Sequence, residues 1–322
     1  MLSNDSRIGD HELLLAAFVA SGGALLTEAS QRFSRHATPL DFSGDSSALG
    51  LTRGTDDYSN ALAELEVQGF TLLPWLLPHA LTSELESLLH SSSGVFVGDL
   101  IPKPQGRLAP LTSEDLVTPR AEKFSIDPSQ LVESKIIRDL ALDPGLLSLA
   151  QDYLNAPPKL DILSSWFSFP VGRSSDAAAT EFHFDLDRTK WLKVFFFLSD
   201  VDTETGAHIF VPTTHKDGGI PRHVLDRGYA RVDDEDVERF FPRSQWASIG
   251  GPRGTILLED TRGLHKGQPL VRGYRLLLQF QYSQNLFGSP SSLSRFSRSA
   301  LPLCENLTSD VLDGVLEAFL KD

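Results

Sequence analysis

Apolar positions recur every three or four residues through much of the first half of this 322-residue chain, and every second residue through much of the second. Tyr58 to Val67 and Leu81 to Leu89 carry the helical spacing, and Pro78 stands near the start of the second, where a first turn tolerates it. A third helix is expected from Pro144 to Leu154, ended by Ala156-Pro157-Pro158. ELLLAAFVASGGALL reads as a short helix packed on the body. Gly94 to Pro128, rich in Pro, Gly and polar residues, reads as a long connection of the kind that is functional or mobile.

From Asp161 onward the alternation predicts eight short strands, roughly 161–169, 181–187, 191–199, 207–212, 245–249, 254–259, 263–267 and 274–283. VFFFL within the third is continuously apolar, as a strand covered on both faces requires. Eight such strands fit a mainly β fold with helical additions, a double-stranded β-helix or jelly-roll, cupin-like barrel buttressed by the N-terminal helices. The expected organisation is a helical extension over 1–50 and one domain over 51–322. Its jelly-roll core covers about 161–287, and an amphipathic helix closes it over 309–320.

Four residues in the strand region have types and spacings that carry chemistry. His183 and Asp185 lie in EFHFDLD, where a strand puts both on one face and presents an imidazole nitrogen and a carboxylate oxygen to a single metal. His265, in GLHKGQP, completes a set of two histidines and one carboxylate. Such a set leaves coordination positions open and is the arrangement of non-haem Fe(II) oxygenases. Arg275 follows in YRLLLQFQY, where its guanidinium can take a carboxylate as a bidentate pair. A His-x-Asp alone is weak evidence, because a buried His or Asp is more often a satisfied core group. The signal is the four features in order within one β-rich region.

These phrases resemble the phytanoyl-CoA dioxygenase family of Fe(II)/2-oxoglutarate oxygenases. The likeness runs from about Asp161 to Phe287 through FHFDLD, WLKVFFFLSDV, TGAHIFVPTTHK, GTILLEDTRGLHKGQP and YRLLLQF, and GFTLLPWLLPHALTSELESLL is similar to the family's helical lead-in. The resemblance implies that His183, Asp185 and His265 hold Fe(II) and that Arg275 takes the C5 carboxylate of the co-substrate 2-oxoglutarate, with O2 as oxidant. It implies that a C–H bond of a small molecule is hydroxylated and that succinate and CO2 are released. Asp185 favours hydroxylation, since related halogenases carry a small residue in its place. Gly206-Ala207 and Pro212-Thr213-Thr214-His215 depart from the family's common Gly-Pro and Pro-Gly-Ser-His, so no substrate analogy is carried over.

Other residues are candidates of lower rank. Lys193 shares a strand face with Trp191, Phe195 and Phe197, and is expected either to aid 2-oxoglutarate binding or to snorkel to the surface. Strand parity puts Gln279 and Gln281 on the face of Arg275, as substrate contacts or as partners of buried polar groups. Lys216 to Pro242 is a candidate lid or a solvated insertion. As a lid, its arginines, Arg222 first, would meet an anionic group on the substrate. His208 and His215 could face the metal but read first as hydrogen-bonded structural histidines, and Asp187 as half of a rim salt bridge with Arg188 or Lys190 rather than a fourth ligand.

Two other functions stay open: a cupin-like metalloprotein of isomerase or hydrolase chemistry, which leaves Arg275 without a task, and a non-catalytic binding protein on the same fold. Gly-x-Ser-x-Gly, Walker and Gly-x-Gly-x-x-Gly signatures are missing from the sequence. A net charge of −14 with no Lys/Arg run argues against nucleic acid as a partner. The single cysteine, Cys304, fits a reducing cytoplasm. The apolar N-terminal stretch is too short to span a bilayer and lacks a basic leader, so no membrane role is expected.

Overall fold

Helices α1 (Asp10–Ser21), α2 (Ala24–Ser34), α3 (Asp56–Gln68) and α4 (His79–Ser91) lead the chain, with strand β1 (Phe70–Leu72) between the last two. Next come β2 (Ser93–Asp99), β3 (Ala109–Pro110), α5 (Ser113–Val117), β4 (Ala121–Ile126), α6 (Pro128–Glu133), α7 (Lys135–Ala141) and α8 (Pro144–Leu154). The strand-rich half holds β5 (Lys159–Ser168), β6 (Trp191–Phe197), β7 (His208–Phe210), β8 (Ala247–Ile249), β9 (Ile256–Glu259), β10 (His265–Gly267) and β11 (Arg275–Ser283). Helices α9 (Arg222–Leu225) and α10 (Asp234–Glu238) lie between β7 and β8, and α11 (Ser309–Leu316) follows β11. This computed structural model describes residues 9–42, 47–99, 107–170, 179–228, 231–288, 296–297 and 309–321.

Local chemistry sets the helix limits. Thr55 caps α3 by accepting the Tyr58 N–H, and Gly69 ends it at φ 94°, a conformation costly for any residue with a Cβ. Asp143 accepts the Leu146 N–H at 3.0 Å to start α8, and also takes Ser47 Oγ and the Ala48 N–H, each at 2.7 Å. That one carboxylate therefore ties the 47–48 segment to the start of α8. The apolar N-terminal stretch forms two helices rather than one, because Gly22 and Gly23, both at positive φ, bend the pair by 117°.

Two antiparallel sheets make a jelly roll. The larger runs β1-β9-β6-β11-β5-β4-β2-β3 and the smaller β10-β7-β8. The sheets are stacked but not closed into the expected barrel, and each keeps free edges among the described residues. Alternation along β6 and β11 decides what each face buries. Val194, Phe196, Leu276, Leu278 and Phe280 pack under α3 and α8, with Leu65, Leu147 and Leu149 in the same core. Phe195, Phe197 and Leu277 turn the other way and meet Phe210 and Ile249 of the smaller sheet. A third cluster joins Leu14 and Phe18 of α1 to Phe182, Phe184, Ile209 and Val224 on the outside of that sheet.

Several expectations are corrected. Gly94 to Pro128 is not a plain connection: it contributes β2, β3 and β4 to the larger sheet, with residues 100–106 outside the description. Only Phe182 and His183 pair within 181–187, as isolated bridges to Val232 and His265. The 216–242 segment forms α9 and α10, held to each other by Arg227–Asp236 and to β10 by Lys266–Asp234, each 2.5 Å. The C-terminal helix stops at Leu316, and Leu320–Lys321 pairs in parallel with Phe296–Ser297. No single helix among the described residues is long and apolar enough to cross a membrane.

Candidate metal and co-substrate site

His183 and His265 face each other on adjoining backbone segments that exchange two hydrogen bonds of 2.9 Å. Asp185 is fixed two residues on, its N–H donating to the Thr261 carbonyl at 2.8 Å. The strand-parity argument for His183 and Asp185 thus reaches the right pair through one bridge rather than a full strand. Their ligand atoms and that of His265 lie within 4.8 Å of one another. His183 Nε2 is 4.0 Å from Asp185 Oδ1, and His265 Nε2 is 3.7 Å from Asp185 Oδ2.

The tautomers follow from the other ring nitrogens. His183 Nδ1 lies 3.0 Å from the Glu181 carbonyl and His265 Nδ1 lies 2.9 Å from the Gly263 carbonyl. A carbonyl only accepts, so each Nδ1 carries the proton and each Nε2 turns a lone pair toward Asp185. Burial lowers both imidazole pKa values, most for His183, where His265 adds to it, so the neutral ligand form is favoured. Burial pushes the Asp185 carboxyl up, but Lys193, then His265 and His183, outweigh that and hold it well below the usual carboxylate range.

The three residues line a cavity of about 260 Å³ between the sheets. Arg275 lines the same cavity, buried, with Nη1 donating to the Gly206 carbonyl and Nε without a partner. Burial alone brings its pKa down to about 10. Gly267 leaves room for the guanidinium, since a Cβ there would stand 3.2 Å from Nη2. A buried cation with an orphan donor, aimed into a cavity, matches a carboxylate that comes from outside the chain.

Lys123 is the residue that sequence reading missed. Ser168 of β5 is the register partner of both Lys123 on β4 and Arg275 on β11, so the two cations share one face. The Lys123 ammonium lies 4.5 Å from the centre of the Trp166 ring. Burial, then repulsion from Arg275, lowers its pKa to about 8. No local pattern could have flagged it, because the 121–126 strand is recognisable only through its pairing.

The remaining candidates divide. Lys193 lies in the cavity, but its ammonium is 2.5 Å from Asp185 Oδ2 and 3.4 Å from Asp187 Oδ2, so it balances the carboxylate and takes the place expected of Arg188 or Lys190. Gln279 lines the cavity. Gln281 does not: two residues further along the same face, its amide points at Asp161 and Ser283, 3.4 Å from each. Arg222 is also elsewhere, exposed on α9 and bonded to Asp226 and to the Val19 carbonyl, each at 2.8 Å. His208 is hydrogen-bonded as expected, to the fully buried Glu259 at 2.9 Å, yet it lines the cavity beside His265. His215 bonds the Glu66 carbonyl at 3.3 Å and lies outside the cavity.

No family model matches the chain, and no curated protein does. Solved structures do match. The epimerase SnoN, in complex with Fe3+, alpha-ketoglutarate and nogalamycin RO, is 18% identical, with 82% of this chain and 97% of that chain covered at a TM-score of 0.52. A second structure, of the non-heme alpha-ketoglutarate-dependent epimerase SnoN from nogalamycin biosynthesis, is 19% identical over the same shares, also at 0.52. HygX from Streptomyces hygroscopicus, with nickel and 2-oxoglutarate bound, is 20% identical over 74% of this chain and 89% of that chain, at 0.49. At these identities the likeness to SnoN shows the fold: this chain has the jelly-roll architecture of that enzyme.

Proposed function

We propose that the protein is an Fe(II)- and 2-oxoglutarate-dependent oxygenase that hydroxylates a C–H bond of a small molecule and releases succinate and CO2. The observation that carries this reading is the convergence of His183, Asp185 and His265 in one cavity that Arg275 also lines with an orphan donor. The resemblance of FHFDLD through YRLLLQF to the phytanoyl-CoA dioxygenase family supports it. So does a fold shared with SnoN, whose structure was solved with Fe3+ and alpha-ketoglutarate. We take 51–322 as one oxygenase domain and 1–50 as a helical extension of it.

The donor set fits iron, and bound Fe(II) would supply the activation of O2 and of the substrate C–H bond. The chain's own residues do the rest. His183 and His265 present neutral Nε2 atoms because their Nδ1 protons are held by carbonyls. Asp185 offers an anionic oxygen whose charge Lys193 balances. Arg275, with Lys123 beside it on the same face, receives the far carboxylate of 2-oxoglutarate, while Asp185, the one carboxylate among the described lining residues, is balanced by Lys193. Phe195 and Leu277 make the apolar wall that keeps water from the reacting end. Gln279 is left to hydrogen-bond the organic substrate.

The test is a screen of small molecules with 2-oxoglutarate, O2 and Fe(II), scored by succinate and by the mass of the organic product. Fe(II)-dependent succinate with a product heavier by one oxygen is expected. Succinate formation that persists in His265→Ala would overturn the site, and an isomeric product of unchanged mass would overturn hydroxylation.

A further inference from the structure

A second cavity, of about 600 Å³, lies beside α2 and shares no lining residue with the metal site. Thr27, Ser30, Gln31 and Ser34, one face of α2, line it. Helices on globular proteins normally turn an apolar stripe inward. Here the cavity side is hydroxyl and amide, while Leu25 and Phe33 are 50% and 41% exposed.

Apart from Asn155, the rest of the lining is cationic. Arg35 follows the last turn of α2, and Lys190 and Arg262 stand on the body of the protein. Among the described lining residues there is no carboxylate, in a chain whose net charge is −14, and the Asp217 carboxylate behind Thr27 is taken up by that hydroxyl at 2.7 Å. Arg262 directs Nε and Nη2 at Asp260 and so is matched by a protein carboxylate. Lys190 is not: its ammonium donates to the Tyr153 carbonyl at 2.5 Å and lies 4.4 Å from the centre of that ring. Burial, and then repulsion from Arg262, brings its pKa down to about 8, against the weaker attraction of Asp260 and Glu66. Arg35 forms no ion pair or side-chain hydrogen bond among the described residues.

We propose that this cavity is a second ligand site, which binds a phosphorylated small molecule. Lys190, Arg35 and the outer edge of Arg262 would meet the phosphate, whose three oxygens suit several cations at once. Gln31, Asn155 and the Ser30 hydroxyl would hydrogen-bond the rest of a polar, hydroxyl-bearing ligand, the Thr27 and Ser34 hydroxyls being engaged by Asp217 and by the Ser30 carbonyl, and the volume admits one of nucleotide size.

The test is isothermal titration of the full-length, metal-free protein with inorganic phosphate, glucose 6-phosphate, adenosine 5′-monophosphate and glucose at constant ionic strength. At least one phosphorylated probe is expected to bind one per chain, and glucose is not. The double variant Arg35→Ala/Gln31→Ala, at two exposed positions outside the core, is expected to weaken binding at least tenfold with an unchanged melting temperature. Arg275→Leu removes the other cationic cavity and is expected to leave the affinity alone, which keeps this result separate from the oxygenase reading. Silence from all three phosphate probes, wild-type affinity in the double variant, or loss of binding in Arg275→Leu would each overturn the proposal.

Discussion

Arg262 and Arg275 are both buried, and they stand in opposite electrostatic situations. Arg262 is gripped by Asp260 through Nε and Nη2, with Tyr153 on the same carboxylate, and these contacts outweigh burial and raise its pKa. Arg275 has a carbonyl for one Nη, an orphan Nε and a lysine as its nearest charged neighbour on that face; burial acts on it unopposed. A buried cation matched inside the chain braces the fold. One left unmatched in a cavity, next to a second cation, is preorganised for an anion that arrives from outside.

The largest expected effect lies at the metal end. His183→Ala or His265→Ala should reduce turnover to background while far-ultraviolet circular dichroism stays native, because each change deletes a ligand and disturbs one cavity wall. Residual activity above a few per cent would break the assignment of these residues as ligands.

The two arginines should separate by stability. Arg262→Leu leaves Asp260 buried without its partner and is expected to cost on the order of 3–5 kcal/mol in denaturant unfolding. Arg275→Leu removes a charge that has no internal partner, so the unliganded protein should lose less than about 1 kcal/mol or gain stability. Equal losses would erase the contrast between a brace and a receptor.

A smaller effect concerns Lys123. Its pKa is lowered to about 8, so the ammonium is present below that pH and lost above it. Affinity for 2-oxoglutarate should therefore fall as pH rises from about 7 to about 9, by at most roughly tenfold per unit. Lys123→Met should bind more weakly at pH 7 and show a flatter profile; an unchanged slope would take Lys123 out of the anion site.

The contrast also shows what the sequence made legible. Strands after Asp161 show as short apolar or alternating runs, the inner ones of the larger sheet being buried on both faces, and seven of the eight expected there form. The exception is 181–187, where backbone bonds to the 261–265 segment replace strand pairing. Lys123 was hidden because its place depends on Ser168, forty-five residues on, which pairs with both it and Arg275. Gln281 shows the limit of parity: a face is given by the period of two, but where the cavity ends along that face is not. Arg222 belonged to a segment whose charges suited a substrate-facing lid and a solvated insertion alike, and α9 and α10 use theirs on local carboxylates and on α1.

The central claim is that one cavity joins a two-histidine, one-carboxylate metal set to a receptor for a carboxylate. Its most direct test is an anaerobic titration, first of Fe(II) into wild type and His265→Ala, then of 2-oxoglutarate into the iron-loaded wild type and Arg275→Leu. The account expects one iron per chain in wild type and a large loss of affinity in His265→Ala. It expects one 2-oxoglutarate per iron, weakened in Arg275→Leu by about 2–5 kcal/mol, or roughly 30-fold and upward. Wild-type iron affinity in His265→Ala, or wild-type 2-oxoglutarate affinity in Arg275→Leu, would contradict it.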